Sequence, residues 1–298
     1  MHKTNFELTL EIEQLRNKQL IAAEELNEHL LDKSWCAIDC RSDLSDPDAG
    51  RRDYEAAHIP GAVFADLNED LAAPLGELTG RHPLPEVAKI TRTIGRLGIC
   101  NDSTVVVYDN SNGAIAARAW WTLRWLGHTN VRLLDGGLAA WSKSQLPLSS
   151  GEVVPDTAEF ISDVRDELVI TTEEICAAGE NSAALNIFDA RDLKRFIGDD
   201  EPIDKVAGHV PGARSLPFPV SLNDDGYWKS VEELKGLWRR HLGDDRQTEW
   251  AVMCGSGVTA CHLAVSAVSA GYRDPRLYVG SWSEWITDSS RPIGLGYG

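Results

Sequence analysis

The stretch WAVMCGSGVTACHLAVSAVSAG, residues 250–271, reads as one strand, one tight loop and one helix. "WAVMC" is a short apolar run, "GSG" supplies two glycines, and "VTACHLAVSAVSAG" is apolar on nearly every side before it closes at Gly271. A helix without a polar face needs cover all round, so this one is expected to lie between a sheet and a second packed surface. "PRLYV" (275–279) follows as another strand. Strands alternating with helices in this way imply a parallel sheet flanked by helices, an α/β fold.

The same unit occurs earlier in the chain. "TVVVYD" (104–109) reads as a strand, "AIAARAWWTLRWLG" (114–127) as a helix closed by Gly127, and "VRLLD" (131–135) as the next strand. Other segments pair in the same order. "QLIAAEELNEHL" matches "LVITTEEICAAG", "CAIDCRSD" matches "NIFDARDL", "AHIPGAVF" matches "GHVPGARS", and "VRLLDGGLAAW" matches "PRLYVGSWSEW". The offset drifts only from 149 at Glu24/Glu173, through 151 at His58/His209, to 144 at Trp141/Trp285. That period is far too long for a solenoid, so two tandem homologous domains are expected. The Pro-, Ser- and Gly-rich stretch "LPLSSGEVVPDTAEF" marks the join. The expected division is 1–148, a linker at 149–160, and 161–298.

Cys254 sits where an open α/β sheet binds ligands, beyond the carboxyl end of a strand. The glycines after it permit positive φ, successive amides there can converge into an anion nest, and the helix N-terminus adds partial positive charge. Such a setting stabilises the thiolate that a nucleophilic cysteine needs. The duplicate provides a comparison, because Asp109 stands at the matching strand end. One copy is therefore expected to be catalytic and the other inactive. A Cys-x5-Arg phosphatase is excluded, since the arginine position is Ala260. No GxxxxGK[ST] phosphate loop is present.

The totals bound the remaining possibilities. Hydrophobic residues make up 43% of the 298, a globular proportion, and no apolar run is long enough for a membrane helix. The start "MHKTNFELTLEIEQLRNKQL" is broken by acids and is not a secretion signal, so a cytoplasmic location is expected. With 46 Asp and Glu against 29 Lys and Arg, the net charge of -17 argues against nucleic acid or anionic membrane as partners. An anionic substrate must then be held by a few local arginines. The six cysteines include no CxxC pair and no zinc spacing, and they are expected to be free thiols. The tryptophans at positions 35, 120, 121, 125, 141, 282 and 285 are expected in the cores.

From about Ile21 to Trp285 the chain resembles the two-domain sulfurtransferases of the rhodanese superfamily. "CGSGVTA" resembles the active loop of the 3-mercaptopyruvate sulfurtransferases, whereas thiosulfate-using rhodaneses typically carry two basic residues where this chain has Gly255 and Ser256. The HIPGA/HVPGA and GG..W/GSW.EW segments resemble the family's flanking motifs. The resemblance implies a ping-pong transfer through a Cys254 persulfide, with no metal or organic cofactor. Sulfur would pass from a small anionic donor to cyanide or to a thiol acceptor, either thioredoxin-like or of low molecular weight. It implies an anion cradle from the amides of Gly255, Ser256, Gly257, Val258 and Thr259, with the Ser256 hydroxyl polarising the donor. Arg195 falls on the family's substrate-binding arginine, and a planar guanidinium suits a carboxylate.

Four further positions bear on the donor. Arg191 belongs to a D-x-R pattern repeated as Asp39 and Arg41, which favours a structural ion pair over a binding role. The second arginine that mercaptopyruvate enzymes usually carry after "EP" is Ile203 here, with Lys205 two residues on as a candidate replacement. His58 resembles a family histidine placed in a proton relay with a serine, here Ser256; its repeat in His209 favours a turn anchor instead. "RHPLP" (81–85) reads as a surface loop, with a border of the cleft between the domains as the other reading. The donor is expected to be mercaptopyruvate, with thiosulfate as the alternative. A sulfur-relay or redox-sensing module with little small-donor turnover is the reading from a different class.

Overall fold

The computed structural model describes residues 14, 16–43, 45–110, 112–179 and 185–297, so most of the acidic start lies outside the described residues. The first unit contains β1 (Leu20–Ile21), β2 (Trp35–Asp39), β3 (Val63–Phe64), β4 (Thr104–Tyr108) and β5 (Val131–Leu134). They pair in the order β1-β5-β4-β2-β3, all parallel. The second contains β6 (Ile187–Asp189), β7 (Arg214–Ser215), β8 (Ala251–Met253) and β9 (Arg276–Leu277), ordered β7-β6-β8-β9 and again parallel. A single parallel bridge, Val169 to Leu277, takes the place that β1 has in the first sheet.

The duplication holds at the level of single hydrogen bonds. Cys40 N–H donates to Tyr108 O at 2.8 Å, and Ala190 N–H donates to Met253 O at 2.8 Å. Leu138 N–H bonds Asp109 O at 2.9 Å, as Trp282 N–H bonds Cys254 O at 3.0 Å. Asp109 and Cys254 therefore occupy the same place in the two units. The D-x-R pairs match too, Arg41 on Asp39 and Arg191 on Asp189, both at 2.7 Å and both buried.

Four helices flank the two strand ends that carry Asp109 and Cys254: α1 (Ala116–Trp125), α2 (Gly137–Lys143), α3 (Ala260–Ser269) and α4 (Ser281–Trp285). Every residue of α1 and α3 is buried, and the two helices pack against each other between the sheets. This is why α3 lacks a polar face: one side meets its own sheet and the other meets the partner unit. Burying each of Leu263, Val265 and Val268 contributes about 1.5–3 kcal/mol. Arg124 of α1 adds an ion pair across the units, to Asp274 at 2.8 Å. Of the tryptophans expected in the cores, Trp120, Trp121, Trp125, Trp141, Trp282 and Trp285 are buried and Trp35 is half-buried.

The helix after Cys254 begins at Ala260, two residues after the expected Val258. Gly257 has φ +73, a left-handed conformation that cannot belong to a right-handed first turn. Residues 254–259 are thereby left as loop. The stretch 149–160 is extended and lies along the first unit, with Ser149 bridged to His58 and Ala158 N–H on Gly95 O at 2.9 Å.

Candidate active site

Cys254 follows β8 and is 2% exposed. Its own N–H donates to Ser281 Oγ at 3.1 Å, and that hydroxyl donates to Tyr278 O at 2.7 Å. Ser281 has φ +53, a left-handed backbone that is costly for a residue with a side chain. The equivalent residue of the first unit is Gly137, φ +57, which adopts it freely. The strain at Ser281 places a hydroxyl against the backbone of the cysteine, and no glycine could do that.

The loop then opens a row of amides. Among the described residues, none of the N–H groups of Gly255, Ser256, Gly257, Val258 and Thr259 donates a hydrogen bond. Unpaired backbone donors in a buried loop are unfavourable, and an anion relieves them. Gly257 is required here, because a Cβ on it would stand 2.3 Å from Val279 O. The first unit shows the same feature already filled. Asp109 accepts from Gly113 N–H at 2.9 Å with one carboxylate oxygen, and from Ile115 at 2.9 Å and Ala116 at 3.2 Å with the other.

Two side chains of the first unit hold the Cys254 loop. The Arg118 guanidinium, fully buried in α1, donates to Gly257 O at 2.9 Å, His82 O at 3.2 Å and Leu71 O at 3.4 Å. Its partners are carbonyls, so its charge is not neutralised there, and burial pulls its pKa below the ordinary arginine value. His82 Nδ1 and Ser256 Oγ share a hydrogen bond of 2.9 Å. Burial, aided by the charges of Arg118 and Arg81, lowers the His82 pKa to about 4. His82 is therefore neutral near pH 7 and holds the serine hydroxyl as an uncharged partner.

Arginines from both units line the opposite wall. Arg195 donates from Nε to Glu201 at 2.9 Å and from Nη2 to Asp204 at 2.9 Å. Arg81 pairs with the other oxygen of Asp204, and its backbone N–H donates to Ser283 Oγ at 3.0 Å. Burial works against the Glu201 carboxylate, but Arg195 and the amides of Asp204 and Ile203 hold its pKa below the usual glutamate range. A Cβ added to Gly255 would lie 2.8 Å from Arg81 Nη2 and 3.4 Å from Arg195 Nη2, so both guanidiniums face the loop. A cavity of about 410 Å³ opens on the Arg81 side, lined by Arg81, His82, Asp43 and an apolar wall that includes Leu75 and Ile203.

The geometry brings Cys254, Ser256, Arg195 and the amides of 255–259 together, and it corrects several expectations. His58 is not on Ser256. Its Nδ1 bonds Tyr54 O at 2.7 Å and its ring stacks on Tyr54, as His209 bonds Phe196 O and stacks on Phe196. Each is an anchor of its own turn, and the histidine on the serine is His82. "RHPLP" is accordingly a wall of the site and not a plain surface loop. Arg191 is consumed by Asp189, Glu201 and Gly208 O and lies under Trp282, which leaves it a structural part. Lys205 is exposed, and the second cation facing the loop is Arg81. A signal for the missed residues was present in the sequence: Arg118 sits in the first half of a helix that is mostly apolar, and Arg81-His82 precede a proline-bounded turn.

The two units thus form a tandem α/β protein with one cysteine loop of open amides and one matching loop filled by its own carboxylate. The rhodanese-like domain matches residues 22–144 and 172–288, and the chain belongs to the rhodanese family. A Pseudomonas aeruginosa protein named "Probable 3-mercaptopyruvate sulfurtransferase" is 44% identical over 95% of this chain and 100% of its own length. The thiosulfate sulfurtransferase of Cricetulus griseus is 36% identical over 86% of this chain and 84% of its own. The structure of 3-mercaptopyruvate sulfurtransferase from Leishmania major superposes with a TM-score of 0.80 at 30% identity, covering 90% of this chain and 74% of that one. The chain is a sulfurtransferase with two rhodanese-like domains.

Proposed function

We propose that the enzyme takes sulfur from 3-mercaptopyruvate, carries it as a persulfide on Cys254, and delivers it to a thiol or to cyanide. The observation that carries this reading is the row of five undonated amides beside the buried Cys254. The Cys254 thiolate attacks the donor's sulfur, and an S–S bond forms as the C–S bond breaks. The electron pair passes into the oxo acid as an enolate, which takes up the proton from the donor thiol and becomes pyruvate. The acceptor then attacks the outer sulfur and releases the Cys254 thiolate. The covalent intermediate divides one hard transfer into two easier ones.

Each neighbouring group has a part in this scheme. The amides of Gly255 to Thr259 and the Arg118 charge stabilise negative charge on sulfur. Ser256 polarises the donor's oxo group, and neutral His82 orients the serine hydroxyl through their shared hydrogen bond. Arg195 holds the donor carboxylate. Gly255 and Ser256, where thiosulfate-using rhodaneses carry basic residues, favour the oxo acid over thiosulfate. The six free thiols accord with a reducing, cytoplasmic setting.

Incubation with mercaptopyruvate should add one sulfur to Cys254 by mass spectrometry, followed by turnover to cyanide or thiol. The Cys254→Ser protein should do neither. Arg195→Ala should raise the KM for mercaptopyruvate about tenfold or more, since a charge-assisted bond contributes about 1.5–3 kcal/mol. Persulfide formed from thiosulfate but not from mercaptopyruvate would reassign the donor. No persulfide from either would favour a relay fed by a partner protein.

A further inference from the structure

We infer that Arg81, supplied by the first domain, is the second cation that grips the donor's carboxylate, opposite Arg195. The inference rests on the oxo-acid donor proposed above. The chain has Ile203 where the resemblance leads one to expect a second arginine in the catalytic domain. Ile203 and Arg81 line the same cavity at the domain junction, so the charge missing from one wall is present on the other.

The shared carboxylate of Asp204 sets the geometry. One of its oxygens takes Arg81 Nη1 and the other takes Arg195 Nη2. Each guanidinium thus spends one terminal nitrogen on Asp204. Among the described residues, the remaining terminal nitrogens, Arg81 Nη2 and Arg195 Nη1, make no hydrogen bond. Both face the space before Gly255, where a Cβ would be 2.8 Å from the first and 3.6 Å from the second. Two planar donor forks converging on one point suit a carboxylate, which offers two oxygens. Only glycine at 255 leaves that space open.

Electrostatics favour the same occupant. Around the loop the guanidiniums of Arg81, Arg118, Arg191 and Arg195 stand against the carboxylates of Asp189, Glu201 and Asp204. Four cations stand against three carboxylates there, so the Cys254 sulfur and a donor carboxylate both meet a basic wall. Arg81 is also the most accessible of these cations, with its side chain 30% exposed against 15% for Arg195, so it meets an incoming anion first.

A competing role for Arg81 is a clasp, tying the domains together through Asp204. The two roles predict opposite signs for the Asp204 variant. Removing Asp204 breaks the clasp, but it frees both arginines for the donor. The measurement is the Kd of pyruvate, the oxo acid left after sulfur transfer, on the full-length Cys254→Ser protein by calorimetry. No turnover is needed. Adding Arg81→Ala, or Arg81→Gln with its polarity kept, should weaken pyruvate about tenfold. Adding Asp204→Asn should leave it unchanged or tighten it. Pyruvate affinity unchanged by both Arg81 substitutions overturns the inference, and so does a loss in Asp204→Asn that matches the loss in Arg81→Ala. Turnover of mercaptopyruvate by the unaltered enzyme is scored separately. Pyruvate binding that depends on Arg81 without such turnover would defeat the donor assignment and leave the Arg81 contact standing.

Discussion

Arg118→Met is the most informative single change outside the nucleophile. The substitution keeps an unbranched, helix-compatible side chain in α1 but removes every donor. Gly257 O and His82 O lose bonds of 2.9 and 3.2 Å, and Leu71 O loses a weaker one at 3.4 Å. Two charge-assisted bonds contribute roughly 3–6 kcal/mol together. Burial of a guanidinium without a carboxylate partner costs several kcal/mol in return, which the apolar Met does not incur. The net loss of stability should therefore be about 1–3 kcal/mol, small enough for the protein to fold. The effect on activity should be larger than that figure suggests. The Gly257 carbonyl is one of two points by which the first domain holds the cysteine loop, and the His82 carbonyl belongs to the residue whose ring bonds Ser256. Releasing both should lower kcat/KM about a hundredfold, or roughly 2.7 kcal/mol of transition-state stabilisation. Urea unfolding gives the first quantity and steady-state sulfur transfer the second. A folded Arg118→Met enzyme within threefold of the parent's kcat/KM would refute the reasoning. Arg118→Lys, which keeps the charge but not the fork, should fall between.

Two other outcomes are expected. His82 has a folded pKa of about 4 against an unfolded value near 6.5, so the unfolded chain binds the extra proton first. Its contribution is complete above about pH 6.5 and is lost as pH falls toward 4; buried His262, lowered to about 3, slopes the same way. His82→Asn should thus flatten the acid side of the stability curve relative to the parent, and parallel curves would contradict this. Asp109→Ala should lose about 3 kcal/mol, because three amide donors are stranded. Added sulfate should then raise the melting temperature of the variant more than that of the parent, and an equal response in both would count against an anion cradle in the first domain.

How much of the fold and the site was legible in the sequence depended on distance along the chain. The sheets, the buried helices and the equivalence of Asp109 with Cys254 follow from local periodicity and from two copies that can be laid side by side. The cysteine loop itself is contiguous, so its chemistry could be read directly. His82 on Ser256 and Arg118 on Gly257 span 174 and 139 residues, and no spacing rule connects residues that meet only when two domains close. The repeat helped at His58: the resemblance raised a relay role, while its duplication as His209 favoured the turn anchor that the structure shows. Ser281 was legible in principle, as the serine that replaces a left-handed glycine of its twin, but its meaning needed the bond to the cysteine backbone.

Asp109 has one more consequence, which concerns length. From Cα, a carboxylate oxygen of aspartate is three bonds away, through Cβ and Cγ. The outer sulfur of a persulfide on Cys254 would be the same three bonds away, through Cβ and Sγ. Because Asp109 and Cys254 share a backbone position, the oxygen that rests on the amides of Ile115 and Ala116 traces where a charged outer sulfur would come to lie in the sister domain. The first unit thus holds, fixed in peptide, an anion at the place where the proposed persulfide would bring one to the second, and it can be neither delivered nor lost.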